Sequence, residues 1–402
     1  MASIRIKSIG PIKDTGIVEL RTIKQSTGKS TLLKILSHCR WIEKVISTGS
    51  HKHGRTALYD YTHNYRFINE LIKFYRFDQD YFGPDSEISY HGDTYVIEFK
   101  GNHNSNPRIE AVDGAEPYNA KLCFIPSERN LISAIRDIES WYKPKEFDLL
   151  FNFIFEWDVV RENYKPSEPL HLTVTPDMEF FYEKGKGERV RIIGKQKEFS
   201  PFYASSGVQS ALPLEGMLNS LTRAVGSKAN LSKSDLIDIV SSILQDGADF
   251  NKPSIENRLA KNLLTYQGAV FFVEEPEQNL FPESQANLMR HMAAAIKEAD
   301  SKFEGHRSML SITTHSPYIL SALNVLMAAS EAYAINPAAT VGVVPERYIL
   351  PQGSISAYHL TDDGEATDII DPDIYMVSGA SLDGISQQVE DELDRLNDII
   401  CQ

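Results

Sequence analysis

The stretch GAVFFVEEPEQNLFP, Gly268 to Pro282, decides how the rest of the chain is read. Its apolar run, Ala269, Val270, Phe271, Phe272 and Val273, stops at two adjacent carboxylates, Glu274 and Glu275. A run this short, rich in β-branched and aromatic residues, reads as a strand buried on both faces of a parallel sheet. Its end then emerges at the carboxyl edge, where open α/β sheets bind ligands. Two successive acids there repel each other unless a positive charge stands between them and a substrate. Mg²⁺ with a nucleotide phosphate supplies that charge, one acid holding the metal and the other polarising a water. A strand ending in solvated glutamates is the plain alternative.

Downstream, SMLSITTHSPYIL (308–320) reads as a second short buried strand, which places His315 at another carboxyl end, within reach of a γ-phosphate; a histidine satisfied in the core is the alternative. Upstream, KQSTGKSTLLKILSHC (24–39) reads as a phosphate loop opening an amphipathic helix. Gly28 would let the backbone approach the phosphates, beside helix N–H groups carrying a partial positive charge. Gln25, Ser26, Thr27 and Thr31 would border the nucleotide, Lys29 would reach the β- and γ-phosphates, and Ser30 would ligate the metal. The pattern is incomplete: G-x-x-x-x-G-K-[ST] puts a first glycine where Ile23 stands. VELRTI would also have to serve both as a paired strand and as the strand feeding the loop, so several residues are lacking between Ile23 and Lys24. A simple capped helix accounts for the same residues.

Two weaker signals complete the set. KLCFI followed by PSERN (121–130) is a strand and a polar turn on the ligand side, where Glu128 and Arg129 face nucleotide, water or metal, or else cap a helix with an exposed salt bridge. Ala204-Ser205-Ser206-Gly207 runs into a helix beginning near Val208, a place for an anion or an ordinary cap. SIRIKS and GIVELRTI (3–8 and 16–23) alternate as paired strands, and SEISY with DTYVIEFK forms a hairpin around Gly92. Residues 138–200 read as a helix and a small antiparallel sheet, with FNFIFEW as core. HKHGR (51–55) reads as a polar loop. Helices are expected over 212–267 and 284–300, short strands at ERYIL and SAYHL, and an amphipathic helix at 385–400.

The 402 residues are 42% hydrophobic and 24% charged, a globular and soluble balance. A net charge of −14 argues against a general nucleic-acid coat. Three cysteines without metal-like spacing point to a reducing compartment. The N-terminus lacks the apolar core of a signal peptide, and no apolar run of about 18 residues is present. The expected location is the cytoplasm, with no membrane partner.

In their order and separation, the GKST loop, the SSG loop, the strand ending EEPE and the strand ending TTHSP resemble the ABC-type ATPase head of SMC-like and DNA-repair proteins and of OLD-like defence ATPases. The resemblance spans about residues 3–360, and EEPEQNLFP with TTHSPYIL is its most specific part. It implies an α/β fold: a mostly parallel central sheet flanked by helices, an antiparallel N-terminal β subdomain and helical and β insertions. Residues 1–402 would form a single domain, with insertions at about 40–118 and 138–200 and a tail at about 345–402. By position, Lys29 and Ser30 would belong to Walker A, Glu274 to the Walker B metal position, and Glu275 would be the catalytic base. Ser205, Ser206 and Gly207 would form the signature loop acting in trans, His315 the switch histidine, Glu277 to Leu280 the D-loop and Glu128 a Q-loop equivalent. Two departures stand out: Glu274 replaces the usual Asp, and the signature lacks Leu-Ser-Gly-Gly-Gln.

The cofactors implied are ATP and Mg²⁺, held between two heads in a homodimer. Without long arms or an appended toprim or HNH-like pattern, the chain most resembles the Septu-type PtuA ATPase that also accompanies some retrons. That resemblance implies an anti-phage complex with a separate nuclease, HNH-type if PtuA-like, and in the retron case a reverse transcriptase with its RNA and DNA. Two other readings stay open: a nucleotide-binding scaffold with a damaged phosphate loop, and a transporter's ATP-binding subunit, which the EEPE run and weak signature disfavour.

Overall fold

The apolar run forms a strand, Gly268–Glu274, buried along its whole length. The computed structural model describes residues 2–377 apart from 22, 28–29, 49–50, 53–54, 116–118, 137, 139–141, 143–146, 196, 228–264 and 304–307, and describes only the backbone of 23–27, 51–52 and 55–56. The strand is second in a six-stranded sheet of order Ala120–Ile125, Gly268–Glu274, Met309–Thr313, Ile23–Thr27, Ile355–Leu360, Ala366–Asp368. The first five are mutually parallel and the last is antiparallel. Side chains alternate across a strand, so this one strand feeds two cores. Ala269, Phe271 and Val273 pack with the helices Leu149–Arg161, Ser206–Ala224, Pro282–Ser301 and Pro317–Ile335 on one face. Val270 and Phe272 pack on the other face with the helix Ser30–Ser47 and an N-terminal sheet. Each buried Phe contributes about 1.5–3 kcal/mol, and burial on both faces fixes which residue ends the strand at the edge.

The N-terminal sheet is wholly antiparallel. Ser3–Ile9 pairs on one side with Ile12–Asp14 and Val18–Glu19, and on the other with Phe82–His91, followed by Tyr95–Lys100 and Arg108–Ala111. Half of its strands thus come from the 40–118 stretch. VELRTI divides between two sheets: Val18–Glu19 pairs here, while Ile23–Thr27 enters the central sheet beside Met309–Thr313 and Ile355–Leu360.

Residues 149–199 give the expected helix and four-stranded antiparallel sheet. The FNFIFEW stripe is only partly core: Phe153, Ile154 and Trp157 are buried, but Phe155 is exposed. Trp157 lies so close to Gly216 that a Cβ there would stand 2.6 Å from its ring, so only glycine lets the Ser206–Ala224 helix approach. The neighbouring Glu215 is fully buried and accepts from the backbone N–H groups of Thr173 (2.7 Å) and Val174 (3.2 Å), and its burial raises its pKa to about 7. ERYIL is not a strand; Glu346–Tyr348 is a 3-10 turn. The helical segments expected over 212–267 are borne out only to Ala224: residues 225–227 and 265–267 are not helical, 228–264 lie outside the described residues, and so does the helix expected at 385–400. Pro317–Ile335 is long and apolar enough by length and composition to cross a membrane, while one of its faces, with Ile319, Leu323 and Leu326, belongs to the core.

Candidate functional site at the carboxyl edge

Three adjacent parallel strands end in one row: Glu274 is in register with Thr313, and Thr313 with Ser26. Beyond Ser26 the strand runs to Thr27, and the helix opens at Ser30, which is exposed. Gly28 and Lys29 lie outside the described residues. This corrects the reading of Gln25, Ser26 and Thr27 as loop residues. Gln25 and Ser26 are paired in parallel on both sides, Gln25 with Ile312 and Ala357, and Thr27 on one side with His359, because the central position in the sheet satisfies N–H and C=O groups that a phosphate loop would leave free. Thr31 is buried in the first turn of the helix.

Glu274 is 3% exposed. Its Oε2 accepts from Ser127 N at 3.2 Å, and its Oε1 is buried without a hydrogen-bond partner among the described residues. Glu275 is half-buried with φ +43°, a left-handed conformation that costs a non-glycine residue about 1–2 kcal/mol. Its N–H donates to Thr313 O at 2.9 Å. The following turn closes through Gln278 N to Glu275 O (3.1 Å) and Leu280 N to Glu277 O (3.0 Å), with Asn279 also left-handed at φ +62°. Glu277 Oε1 accepts from His315 N at 2.8 Å, tying this turn to the neighbouring strand end. Glu277 Oε2 and Gln278 Oε1 are, like Glu274 Oε1, buried and without hydrogen-bond partners among the described residues.

Orphaned buried oxygens at a sheet edge fit a hard divalent cation. Among the described residues no group of three or more His, Cys, Asp or Glu forms a metal site by itself. Such a set suits Mg²⁺, which takes one or two carboxylates and completes its shell with water and phosphate. Glu274, with its orphaned Oε1, and Ser30 at the start of the helix are residues that could hold such an ion.

Arg129 does not face a ligand, nor does it form an exposed salt bridge. It is fully buried and donates only to carbonyls: Nε to Ser210 O (3.1 Å), Nη1 to Glu274 O (2.7 Å) and Pro126 O (3.4 Å), Nη2 to Glu275 O (2.7 Å) and Pro276 O (3.3 Å). Burial lowers its pKa to about 10, opposed by the nearby Glu277, Glu275 and Glu274, and it stays charged at neutral pH. Glu128 is exposed, and its Oε2 accepts from Ser127 Oγ at 3.1 Å.

The small-residue loop caps a helix. Ser205 is the N-cap, accepting from Val208 N at 3.5 Å, and the helix starts at Ser206, two residues before the expected position. Ser205 and Ser206 are exposed. Gly207 abuts the acidic turn: a Cβ there would stand 2.9 Å from Asn279 O. His315 is exposed ahead of the N-cap Ser316. Ser316 Oγ donates to Gln285 Oε1 (2.5 Å), and Gln285 Nε2 donates to Leu280 O (2.9 Å), a second strap between the two strand ends. Sequence reading missed Gln285 and the bond of Glu277; only the position of both polar residues in or just after the acidic turn hinted at them. A cavity of about 720 Å³, lined among others by Trp41, Glu70, Phe74, Phe147 and Glu156, lies apart from these residues.

No protein-family model and no curated protein matches the chain. Among solved structures it is similar to an SMC head domain from Thermotoga maritima, with a TM-score of 0.34 and 6% identity over 91% of this chain and 97% of that one. It is also similar to the recombination mediator protein RecF-ATPrS of the RecFOR pathway, with a TM-score of 0.29 and 11% identity over 91% of this chain and 97% of that one. Likenesses this distant place no residue of the edge.

Proposed function

We propose that this chain is an ATP-binding and hydrolysing head that closes as a homodimer around Mg-ATP. The observation that supports this reading best is the row of Glu274, Thr313 and Ser26, with Glu275 and His315 just beyond it and a helix opening at Ser30 beside it. Glu274 and Ser30 would hold the metal, which would neutralise phosphate charge. Glu275 would orient or deprotonate the attacking water, a contribution of about 10²–10⁴-fold. His315 would meet the γ-phosphate. The exposed Ser205 and Ser206, with Gly207, would contact the nucleotide of the second copy. Glu128, exposed beside Ser127, would serve as the Q-loop equivalent. The cytoplasmic anti-phage role, with a separate nuclease and in the retron case a reverse transcriptase, rests on the resemblance of a compact head with insertions and without long arms to PtuA-type ATPases.

A second reading has its own observation. The strand runs through Thr27 and the helix starts at Ser30, which leaves only positions 28 and 29 for a phosphate loop. The chain would then be a nucleotide-binding scaffold that hydrolyses little. Steady-state ATP turnover measured over a range of protein concentrations, in the intact chain and in Glu275→Gln, separates the two. Turnover that rises with concentration and disappears in the variant supports the ATPase; no turnover in either, with the partner subunits present, supports the scaffold.

A further inference from the structure

Arg129 is placed to do more than fill space. Its five acceptors lie on three segments: the turn after Ala120–Ile125, the Ser206–Ala224 helix, and the three residues that end the acidic strand and begin its turn. Every acceptor is a main-chain carbonyl, so what the guanidinium fixes is backbone position. One of those carbonyls belongs to Glu275, whose left-handed backbone is held from the other side by Thr313 O. Another belongs to Ser210, one helical turn past Gly207. A planar fork can hold these carbonyls at fixed relative angles, whereas an ammonium is a point donor and cannot.

We infer that Arg129 is a positioning residue that couples the first turns of the Ser206–Ala224 helix to the backbone of Glu275, so that a contact on the Ser205–Gly207 loop sets the attitude of the acid. The inference rests on the ATPase reading for its meaning, since there the loop meets the partner's nucleotide and Glu275 the water. A load on the helix displaces Ser210 O, the guanidinium follows as a rigid plane, and the carbonyls of Glu274 and Glu275 move with it. Gly207 packs close to the same turn, since a Cβ there would stand 2.9 Å from Asn279 O, so a displacement of the helix also meets the turn at this point.

The test uses Arg129→Lys, which keeps the charge, and Arg129→Gln, which keeps a planar donor. Thermal unfolding first establishes that each is folded at the assay temperature. In Arg129→Lys, kcat is expected to fall about 10²-fold, the usual effect of misplacing a reacting group by about an ångström, while ATP affinity measured with a fluorescent analogue changes less than about threefold, well under the tenfold of one lost hydrogen bond. Arg129→Gln is expected to fall at least as far. Native-state amide exchange without nucleotide supplies a readout independent of catalysis. In the intact chain the amides of 275, 277 and 278 and those of 208–212 open together; in Arg129→Lys the first three exchange roughly tenfold faster with the helix unchanged. A lower melting temperature with unchanged kcat, or equal exchange changes in both segments, would show a merely structural residue and overturn the inference. If the intact chain hydrolyses no ATP, the proposed activity fails by itself, and the exchange experiment alone decides whether Arg129 couples the two segments.

Discussion

Two strand ends on the same sheet edge are built differently. The end of Gly268–Glu274 is over-determined: Arg129 grips three successive carbonyls, Thr313 O holds Glu275 N, Glu277 reaches His315, and Gln285 straps Leu280 to Ser316. The end of Ile23–Thr27 is continuous sheet up to Thr27, with two positions between it and the helix. The acidic end is therefore rigidly held, whereas the other end leaves two positions for a loop; in the proposed reading, the first would carry the chemistry and the second would limit how nucleotide is held. The helices behind the two ends differ as well. Ser30–Ser47 buries His38, whose Nε2 pairs with Phe67 O, whereas Ser206–Ala224 buries Glu215.

Each of these contrasts can be broken. The largest effect is expected from Glu275→Gln, which should lower turnover by about 10²–10⁴-fold with nucleotide binding retained. Next come the two buried titratable groups, whose slopes oppose each other. Burial holds His38 down to about 4 from an ordinary 6.5, so its stabilising effect is complete above pH 6.5 and is lost as pH falls through 4. Burial raises Glu215 from 4.5 to about 7, so the folded state is favoured below pH 4.5 and that advantage is lost as pH rises through 7. Each is worth on the order of 3 kcal/mol. Urea unfolding between pH 4 and 8 should show the alkaline loss vanish in Glu215→Gln and the acid loss vanish in His38→Phe. Gly207→Ala forces a Cβ toward Asn279 O and should destabilise the chain by about 1–3 kcal/mol, read as a lower urea midpoint. The smallest effect sharpens the other end: inserting residues between Ile23 and Lys24 to restore the G-x-x-x-x-G-K-S spacing should tighten ATP binding about tenfold, or about 1.4 kcal/mol, as measured by equilibrium fluorescence.

Much of this fold was legible because burial imposes patterns. The unbroken run Ala269–Val273 could only be a strand covered on both faces, and the acids after it had to fall on the edge. The hairpin around Gly92 and the small sheet at 170–199 were readable from alternation. What composition hides is the partner of a polar group. PSERN looks like a solvated turn, and nothing local says that Arg129 turns inward to bond carbonyls more than 80 residues away. QST, just before GKST, looked like part of a loop because its residues favour one, yet pairing on both sides holds Gln25 and Ser26 as strand, and Thr27 continues it against His359. Glu277 and Gln285 are ordinary surface types by sequence and become straps only through the register of neighbouring strands.

In the proposed reading this edge closes on nucleotide between two copies of the chain. Light scattering on Glu275→Gln, with Mg-ATP, with Mg-ADP and without nucleotide, tests it most directly, since the variant should bind without releasing by hydrolysis. A closed head dimer gives twice the mass of a single chain with Mg-ATP and a single chain in the other two conditions. A single-chain mass in all three, at protein concentrations where nucleotide is bound, would contradict it.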